Sequence, residues 1–191
     1  MSKETFTSLS AESLAEGVKK AKGRGLPPVH LWNPDLLGDL DMRIARDGTW
    51  FYLGSPINRP EMARLFSTIL LKEDGEFFLV TPVEKWRITV EDAPFVAVDV
   101  DIESEPDKRL IFRTNMGDTV IAGPGNPIRV ERDPTTGEPA PYVMVRAGLE
   151  ALIDRKSFYR LVEAGEHQDG WFGLWSQGAF FPVIASDEMT A

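Results

Sequence analysis

Two stretches of this chain carry nearly the same residues in the same order, and this repetition constrains the fold more than any other feature. Residues 42–47 read Met-Arg-Ile-Ala-Arg-Asp, and residues 128–133 read Ile-Arg-Val-Glu-Arg-Asp. Residues 57–65 and 153–161 also match, each with Ile-Xaa-Arg at the start and Arg-Leu at the end. Both places combine alternating apolar residues, turn residues and a helical apolar pattern. The chain is therefore predicted to be an α+β protein with internally duplicated units, each an antiparallel hairpin followed by a helix.

Polar positions recur together with the apolar ones. Four pairs of arginines occupy matching places: Arg43 and Arg129, Arg46 and Arg132, Arg59 and Arg155, and Arg64 and Arg160. A repeated core does not require repeated arginines, and in a strand Arg43 points away from the face that carries Met42 and Ile44. Because a guanidinium binds phosphate or carboxylate bidentately, the arginines are candidates for an anion site if the copies bring them together. The alternative is that each is solvated or paired with one of the 30 carboxylates.

Three regions are predicted along the chain. Residues 1–29 form an N-terminal helical arm, residues 30–84 an N-terminal α+β domain with the first copy, and residues 85–191 a β-rich C-terminal domain with the second copy. The stretch 86–122 has strand patterns separated by turn residues and no counterpart in the first copy. It predicts an antiparallel meander and a larger C-terminal sheet.

Local signals place the helices and one hairpin. Three short amphipathic helices are predicted to begin after the N-cap residues Ser10, Asn58 and Asp154. The Pro-rich segment 26–34 is expected to be extended, because proline holds the backbone and removes hydrogen-bond donors. A closing hairpin is predicted over residues 171–184.

Composition excludes several classes of function. The formal net charge of −9 disfavours a nucleic acid polymer as partner, since Lys and Arg drive binding to phosphates. With no Cys and two His, no thiolate or His-rich metal site is expected, and no cofactor. No segment approaches the roughly 20 apolar residues of a membrane span, and residues 1–25 lack the apolar core of a signal peptide. We expect a cytoplasmic protein that binds neither membrane nor metal.

No catalytic signature stands out, and no catalytic residue is assigned. Glu84, Glu91 and Asp92 flank one predicted strand, and neighbouring carboxylates can transfer protons or hold Mg²⁺. They support an alternative in which the protein is a metal-dependent phosphohydrolase, although a capping or solvated role is the simpler explanation. Residues 114–118 are expected to make a tight turn, whose short polar side chains could also hydrogen-bond a base or ribose.

Five segments in order resemble a known family. They are residues 28–34 (Pro-Val-His-Leu-Trp-Asn-Pro), 41–44 (Asp-Met-Arg-Ile), 47–52 (Asp-Gly-Thr-Trp-Phe-Tyr), 81–85 (Thr-Pro-Val-Glu-Lys) and 90–95 (Val-Glu-Asp-Ala-Pro-Phe). Together they resemble the bacterial domain-of-unknown-function family DUF1285 over most of the chain. The resemblance implies a duplicated α+β core, a C-terminal domain superficially like the pleckstrin-homology fold, a pocket between the domains for a nucleotide-like ligand, and a role in signal transduction. It implies no reaction.

We therefore expect a non-enzymatic sensory module that binds an anionic or nucleotide-like small molecule at the inter-domain cleft and acts on a signalling protein. The predicted ligand-binding residues lie beside the first hairpin or near the domain junction: Trp32, Arg43, Arg59, Arg64, Lys85, Glu91, Asp92, Thr114 and Asn115. A further alternative is a protein-interaction module without a small ligand. It would dock through aromatic residues of the closing hairpin: Trp171, Phe172, Trp175, Phe180 and Phe181.

Overall fold

The chain forms two compact units that divide between Asp92 and Ala93. The computed structural model describes residues 11, 13–20, 23 and 25–190. Over these residues the fold is α+β, as predicted, and it is mostly sheet. The division differs from the predicted boundary after Glu84, because the strand Lys85–Val90 pairs with two strands of the N-terminal unit.

A six-stranded sheet is the centre of the N-terminal unit in the described part of the chain. Its strands are β1 (Leu36–Ile44), β2 (Trp50–Tyr52), β3 (Ser55–Pro56), β4 (Leu70–Glu73), β5 (Glu76–Val80) and β6 (Lys85–Val90). Their order is β3-β2-β1-β6-β5-β4, with β1 and β6 parallel and the other neighbours antiparallel. Leu40, Met42 and Ile44 of β1 are buried, whereas Asp39 and Asp41 are exposed. This alternation places one face of β1 on the core.

The first helix, α1 (residues 13–20), packs into the N-terminal unit. Its residues Leu14 and Val18 are fully buried, so it is part of the core and not a peripheral arm. The predicted cap Ser10 lies outside the described residues. In the Pro-rich segment that follows, Val29–Leu31 makes a short 3-10 helix, although an extended segment was expected.

The second helix, α2 (Pro60–Ser67), begins one residue later than predicted. Its N-cap is Arg59 and not Asn58, and no side chain caps it. Pro60 takes the first helical position, where its missing N–H leaves no bond unmade and its fixed φ suits the helix. Phe66 of α2 stacks on Trp50 of β2 with ring centroids 6.3 Å apart, which fixes the helix on the sheet.

A second six-stranded sheet is the centre of the C-terminal unit. Its strands are β7 (Phe95–Glu103), β8 (Arg109–Thr114), β9 (Thr119–Ile121), β10 (Ile128–Arg132), β11 (Pro139–Arg146) and β12 (Leu149–Ile153). Their order is β10-β11-β12-β7-β8-β9, with β12 and β7 parallel. The two central sheets have equal strand number in the described residues, so the prediction of a larger C-terminal sheet is wrong. The predicted meander loses its first strand, since β6 belongs to the other unit.

The C-terminal unit ends with a helix and a small sheet. Asp154 caps α3 (Arg155–Glu163), as predicted, because its Oδ1 accepts a hydrogen bond from the Ser157 N–H at 2.8 Å. A three-stranded antiparallel sheet follows, with strands β13 (Glu166–Gln168), β14 (Trp171–Ser176) and β15 (Ala179–Ala185). The β14–β15 pair is the predicted closing hairpin. Over the described ranges, no helix is long and apolar enough to cross a membrane.

The two six-stranded sheets share one strand order. Counted along the chain within each unit, both read third, second, first, sixth, fifth, fourth across the sheet. The sequence match sets β1 and β2 beside β10 and β11, but β1 is a central strand and β10 is an edge strand. Arg43 and Arg129 therefore occupy different places in their sheets. The sequence match reflects the local order of strands and helix, and not the position of each strand in its sheet.

Candidate functional site

Arg43 and Glu91, two of the predicted ligand-binding residues, bind each other. Arg43 Nη1 lies 2.5 Å from Glu91 Oε1, and the second carboxylate oxygen of Glu91 accepts the Arg46 backbone N–H at 3.0 Å. The guanidinium of Arg43 also lies over the Phe51 ring. These bonds neutralise the arginine and join the start of the β1–β2 turn to the end of β6. A ligand would have to displace Glu91 to reach this cation.

Lys85 is paired in the same way at the other end of the sheet. Its Nζ lies 2.5 Å from Glu73 Oε2 and 4.5 Å from the centroid of the Phe78 ring, and its side chain is 13% exposed. In the parallel ladder Lys85 lies opposite Leu36, whereas Arg43 lies opposite Thr89. Lys85 and Thr89 are four residues apart along β6, which corresponds to about 13 Å. The structure does not bring Lys85 and Arg43 together.

The carboxylates of the phosphohydrolase hypothesis are engaged separately. Asp92 Oδ2 lies 3.6 Å from Arg46 Nη1, and Glu84 accepts hydrogen bonds from Ser13 Oγ at 3.1 and 3.2 Å. Among the residues that the structure describes, no group of three or more His, Asp or Glu side chains is arranged to hold a metal ion. The described residues thus offer no support for a Mg²⁺ site.

Thr114 and Asn115 build the turn between β8 and β9. Thr114 is buried, and its Oγ1 accepts hydrogen bonds from the Met116 and Asp118 N–H groups at 3.3 and 3.1 Å. Asn115 Oδ1 accepts from the Val96 N–H at 3.0 Å, which fixes the turn against β7. Their polar atoms serve the fold here, in agreement with the turn expected from the sequence.

Ion pairs use almost every cation of the C-terminal unit. Eight of the nine Lys and Arg residues of this unit pair with a carboxylate in the described structure, and Lys156 is the exception. The paired residues are Lys108, Arg109, Arg113, Arg129, Arg132, Arg146, Arg155 and Arg160. Arg129 donates two hydrogen bonds to Glu150, and these bonds raise its pKa above the ordinary value. Arg113 bonds Asp99 and so lowers the pKa of that carboxyl. Four of the repeated arginines, Arg129, Arg132, Arg155 and Arg160, belong to this set.

Arg59 and Arg64 differ from the other repeated arginines. Both side chains are exposed, and neither forms an ion pair with any described residue. Arg59 is the N-cap residue of α2 with an extended backbone, and Arg64 lies in the last turn of the helix. Trp32 is half-buried beside the 3-10 helix.

The segments that lead into β1 and β6 expose a set of large apolar side chains. We call it the leucine surface, and it consists of Leu26, Leu31, Leu36, Leu37 and Val83. Leu31 is 71% exposed and Val83 is 75% exposed. Leu36 lies opposite Lys85, two residues after Val83, and the 3-10 helix that ends at Leu31 lies against β4. Sequence reasoning missed this surface, although two adjacent leucines in a strand mean that one must face away from the core.

The closing hairpin offers a smaller apolar surface. Phe172 and Phe181 are buried, and Trp175 packs on Phe180 with ring centroids 5.2 Å apart. Of the large apolar residues in this hairpin, all of which the structure describes, only Trp171 is exposed, at 46%. Of the five aromatic residues of the predicted docking surface, two are buried, two are half-buried and one is exposed.

Two family models match consecutive parts of the chain. One, described as "Domain of unknown function (DUF1285), N-terminal domain", matches residues 27–93. The other, described as "Protein of unknown function (DUF1285), C-terminal domain", matches residues 94–183. The chain belongs to the DUF1285 family. The two matches meet next to the division between the two compact units of this DUF1285 protein.

Two solved structures of DUF1285 proteins are similar to this chain. A family member from Silicibacter pomeroyi DSS-3 is 62% identical with a TM-score of 0.87, and the match covers 93% of this chain and 98% of that one. A member from Shewanella baltica OS155 is 30% identical with a TM-score of 0.51, covering 64% of this chain and 91% of that one. No curated protein matches. These comparisons establish the family and its fold, but they name no ligand or reaction.

Proposed function

We propose that this DUF1285 protein is a non-enzymatic binding protein whose partner is another protein, bound at the leucine surface. The observation that carries the proposal is the exposure of Leu31 and Val83, together with that of Leu36 and Leu37 at the start of β1. Leaving apolar side chains in water forgoes about 1.5–3 kcal/mol each relative to full burial, and clustered apolar exposure of this kind typically marks an interaction site. A signalling role remains part of this proposal.

In-cell photo-crosslinking tests the proposal. A photoreactive amino acid would replace Leu31 in the native host, and Tyr159, exposed on α3 of the other unit, would be replaced in a matched control. We expect a discrete protein adduct from position 31 that is absent from position 159. Equal adducts from both positions, or none from position 31, would contradict the proposal.

A second candidate is the anionic or nucleotide-like ligand. Arg59 and Arg64 favour it, since they are exposed and have no carboxylate partner among the described residues. Calorimetric titration with a panel of nucleotides and phosphorylated metabolites would test it, with Arg59→Ala/Arg64→Ala as the variant and Lys156→Ala as control. Heat of binding lost only in the double variant would support this ligand class. An absence of heat across the panel would count against it.

Two finer features of the fold are also proposals. The shared strand order of the two sheets supports an internal duplication, in a different alignment from the sequence match. The resemblance of the C-terminal domain to the pleckstrin-homology fold and the cytoplasmic location are carried forward as predictions. A structural superposition of the two units, strand for strand, would test the duplication.

A further inference from the structure

The first half of β1 has a neighbouring strand on one side only. β6 pairs with Leu36, Gly38 and Asp39, whereas on the other side the pairing with β2 ends at Met42 and the Leu53 N–H donates to the Asp41 C=O at 3.0 Å. Within the described ranges, no strand lies beside residues 36–40 on the β2 side. Alternate backbone N–H and C=O groups along about 17 Å of strand can therefore bond to another strand.

The shape of this edge favours a short partner. Gly38 has a φ of +143°, and the β1–β6 register shifts between Leu36 and Gly38, so the strand is irregular at this point. An irregular edge discourages open-ended sheet growth. It still leaves room for a segment of about five residues, which is an ordinary strand length.

Two carboxylates define the charge beside this edge. Asp39 and Asp41 are exposed on the same face of β1. Asp39 bonds Arg87 at 3.1 Å but is 75% exposed, and Asp41 forms no ion pair with the residues that the structure describes. Side chains directly opposite on adjacent strands lie about 5 Å apart on one face. Because Leu53 already occupies the position opposite Asp41, an added strand would place one residue opposite Asp39 and would reach Asp41 diagonally, over about 7–8 Å, a distance that a long side chain can span. Lys or Arg in the added strand would complement both carboxylates.

We propose that residues 36–40 are a strand-addition site for a short extended segment of another protein, with Lys or Arg at alternate positions and apolar residues between them. Backbone hydrogen bonds would supply affinity, and the alternate side chains would supply specificity. The proposal rests on the proposed function, because it names the kind of partner for the leucine surface. A second copy of this chain fits less well as the partner, because pairing of two β1 strands would place Asp39 and Asp41 near the same carboxylates of the other copy.

The test uses a peptide whose charge stays fixed while its hydrogen bonding changes. The probe is fluorescein-labelled Val-Lys-Val-Lys-Val-Lys, titrated with the full chain at 0.15 M salt and followed by anisotropy. Two versions carry N-methyl groups on all Val or on all Lys amides. A strand added to one edge uses alternate amides, so one methylated version should bind about tenfold more weakly or worse, and the other should bind nearly as well as the parent.

Two protein variants locate the site. Asp41→Asn should weaken binding about twofold to fivefold, the range for one exposed ion pair. Glu105→Gln removes one negative charge from an exposed loop of the C-terminal unit and should leave binding unchanged. Bound peptide should also slow hydrogen exchange of the backbone amides in residues 36–40.

Several results would overturn the strand-addition site. They are equal affinity of all three peptides, equal losses in the two variants, slowed exchange only outside β1, or no binding. The crosslink from position 31 separates this inference from the proposed function. An adduct without peptide binding would reject strand addition alone, whereas peptide binding without an adduct would reject the proposed function alone.

Discussion

Arg43 lies directly opposite Phe51 on the neighbouring strand, with its guanidinium carbon 4.1 Å from the centroid of the Phe51 ring. Arg129 has the same relation to Tyr142, at 4.3 Å. Each arginine also bonds a carboxylate on a further strand or strand end. The repeated arginines at these two positions therefore join strands within their own sheets, which is a structural role.

Replacing these arginines should cost stability. Arg129→Ala should lower the free energy of unfolding by about 1–3 kcal/mol, because it leaves Glu150, only 15% exposed, without its donor. Arg43→Ala should cost about 1 kcal/mol, since its partners are more exposed. Arg64→Ala is the matched control and should change stability by less than about 0.5 kcal/mol. Urea unfolding measures all three, and an equal cost at Arg64 would refute the structural role.

Stability should depend on acid pH through Asp99. Hydrogen bonds from Arg113 lower the pKa of Asp99 below its ordinary value of 3.8. A carboxyl with a lowered folded-state pKa contributes stability above the unfolded-state pKa, and this contribution disappears as the pH falls through the folded-state pKa. Urea midpoints of the native protein should therefore fall as the pH drops below about 4. Asp99→Asn should show a weaker dependence, with Asp107→Asn as control. Identical pH profiles for all three proteins would be inconsistent with this account.

The two helix starts in the repeated segments make a matched pair of substitutions. Asp154→Ala should destabilise the protein by about 0.5–2 kcal/mol, because it removes the bond to the Ser157 N–H. Asn58→Ala should have little effect, since α2 starts at Arg59 without a side-chain cap. Thermal or urea unfolding distinguishes the two, and a larger loss at Asn58 would mean that the sequence-based cap is correct.

Gly38 should resist substitution because of its backbone conformation. Gly38→Ala should cost about 1–3 kcal/mol, since few residues with a side chain adopt a φ of +143°. Space is not the cause, because an added Cβ would lie 3.9 Å from Trp86, an ordinary contact. Gly125→Ala, whose Cβ would meet nothing within 4 Å, is the control. Equal stability of the two variants, measured by urea unfolding, would show that β1 is not held in this conformation.

Local features of the fold could be predicted from the sequence. Alternating apolar residues around turn residues located the β14–β15 hairpin, and Asp154 as a capping residue before the apolar pattern of Phe158 and Leu161 predicted the start of α3. The pairing of β6 with β1 could not be predicted, because a parallel ladder joins segments far apart in the chain and leaves no signal in either. The predicted boundary after Glu84 missed this pairing for the same reason.

The site was harder to predict than the fold. Strand alternation showed correctly that Arg43 leaves the core, but it could not show that Glu91 lies within bonding distance. The Lys85–Glu73 pair was missed for the same reason, because the sequence of a strand does not show that a charged residue on it has a partner two strands away. Part of the leucine surface could have been predicted from the adjacent Leu36 and Leu37, because neighbouring residues of a strand point to opposite faces and cannot both face the core.

The size of the native complex tests the central claim most directly. The double variant Leu31→Asp/Val83→Asp changes two highly exposed side chains and should keep the unfolding temperature of the native protein. In lysates of the native host, size-exclusion chromatography with antibody detection should show the unchanged protein in a complex above its own 21.3 kDa, and the purified protein at its own size. The double variant should elute as the free protein. Identical elution of variant and unchanged protein in the lysate would contradict binding at the leucine surface.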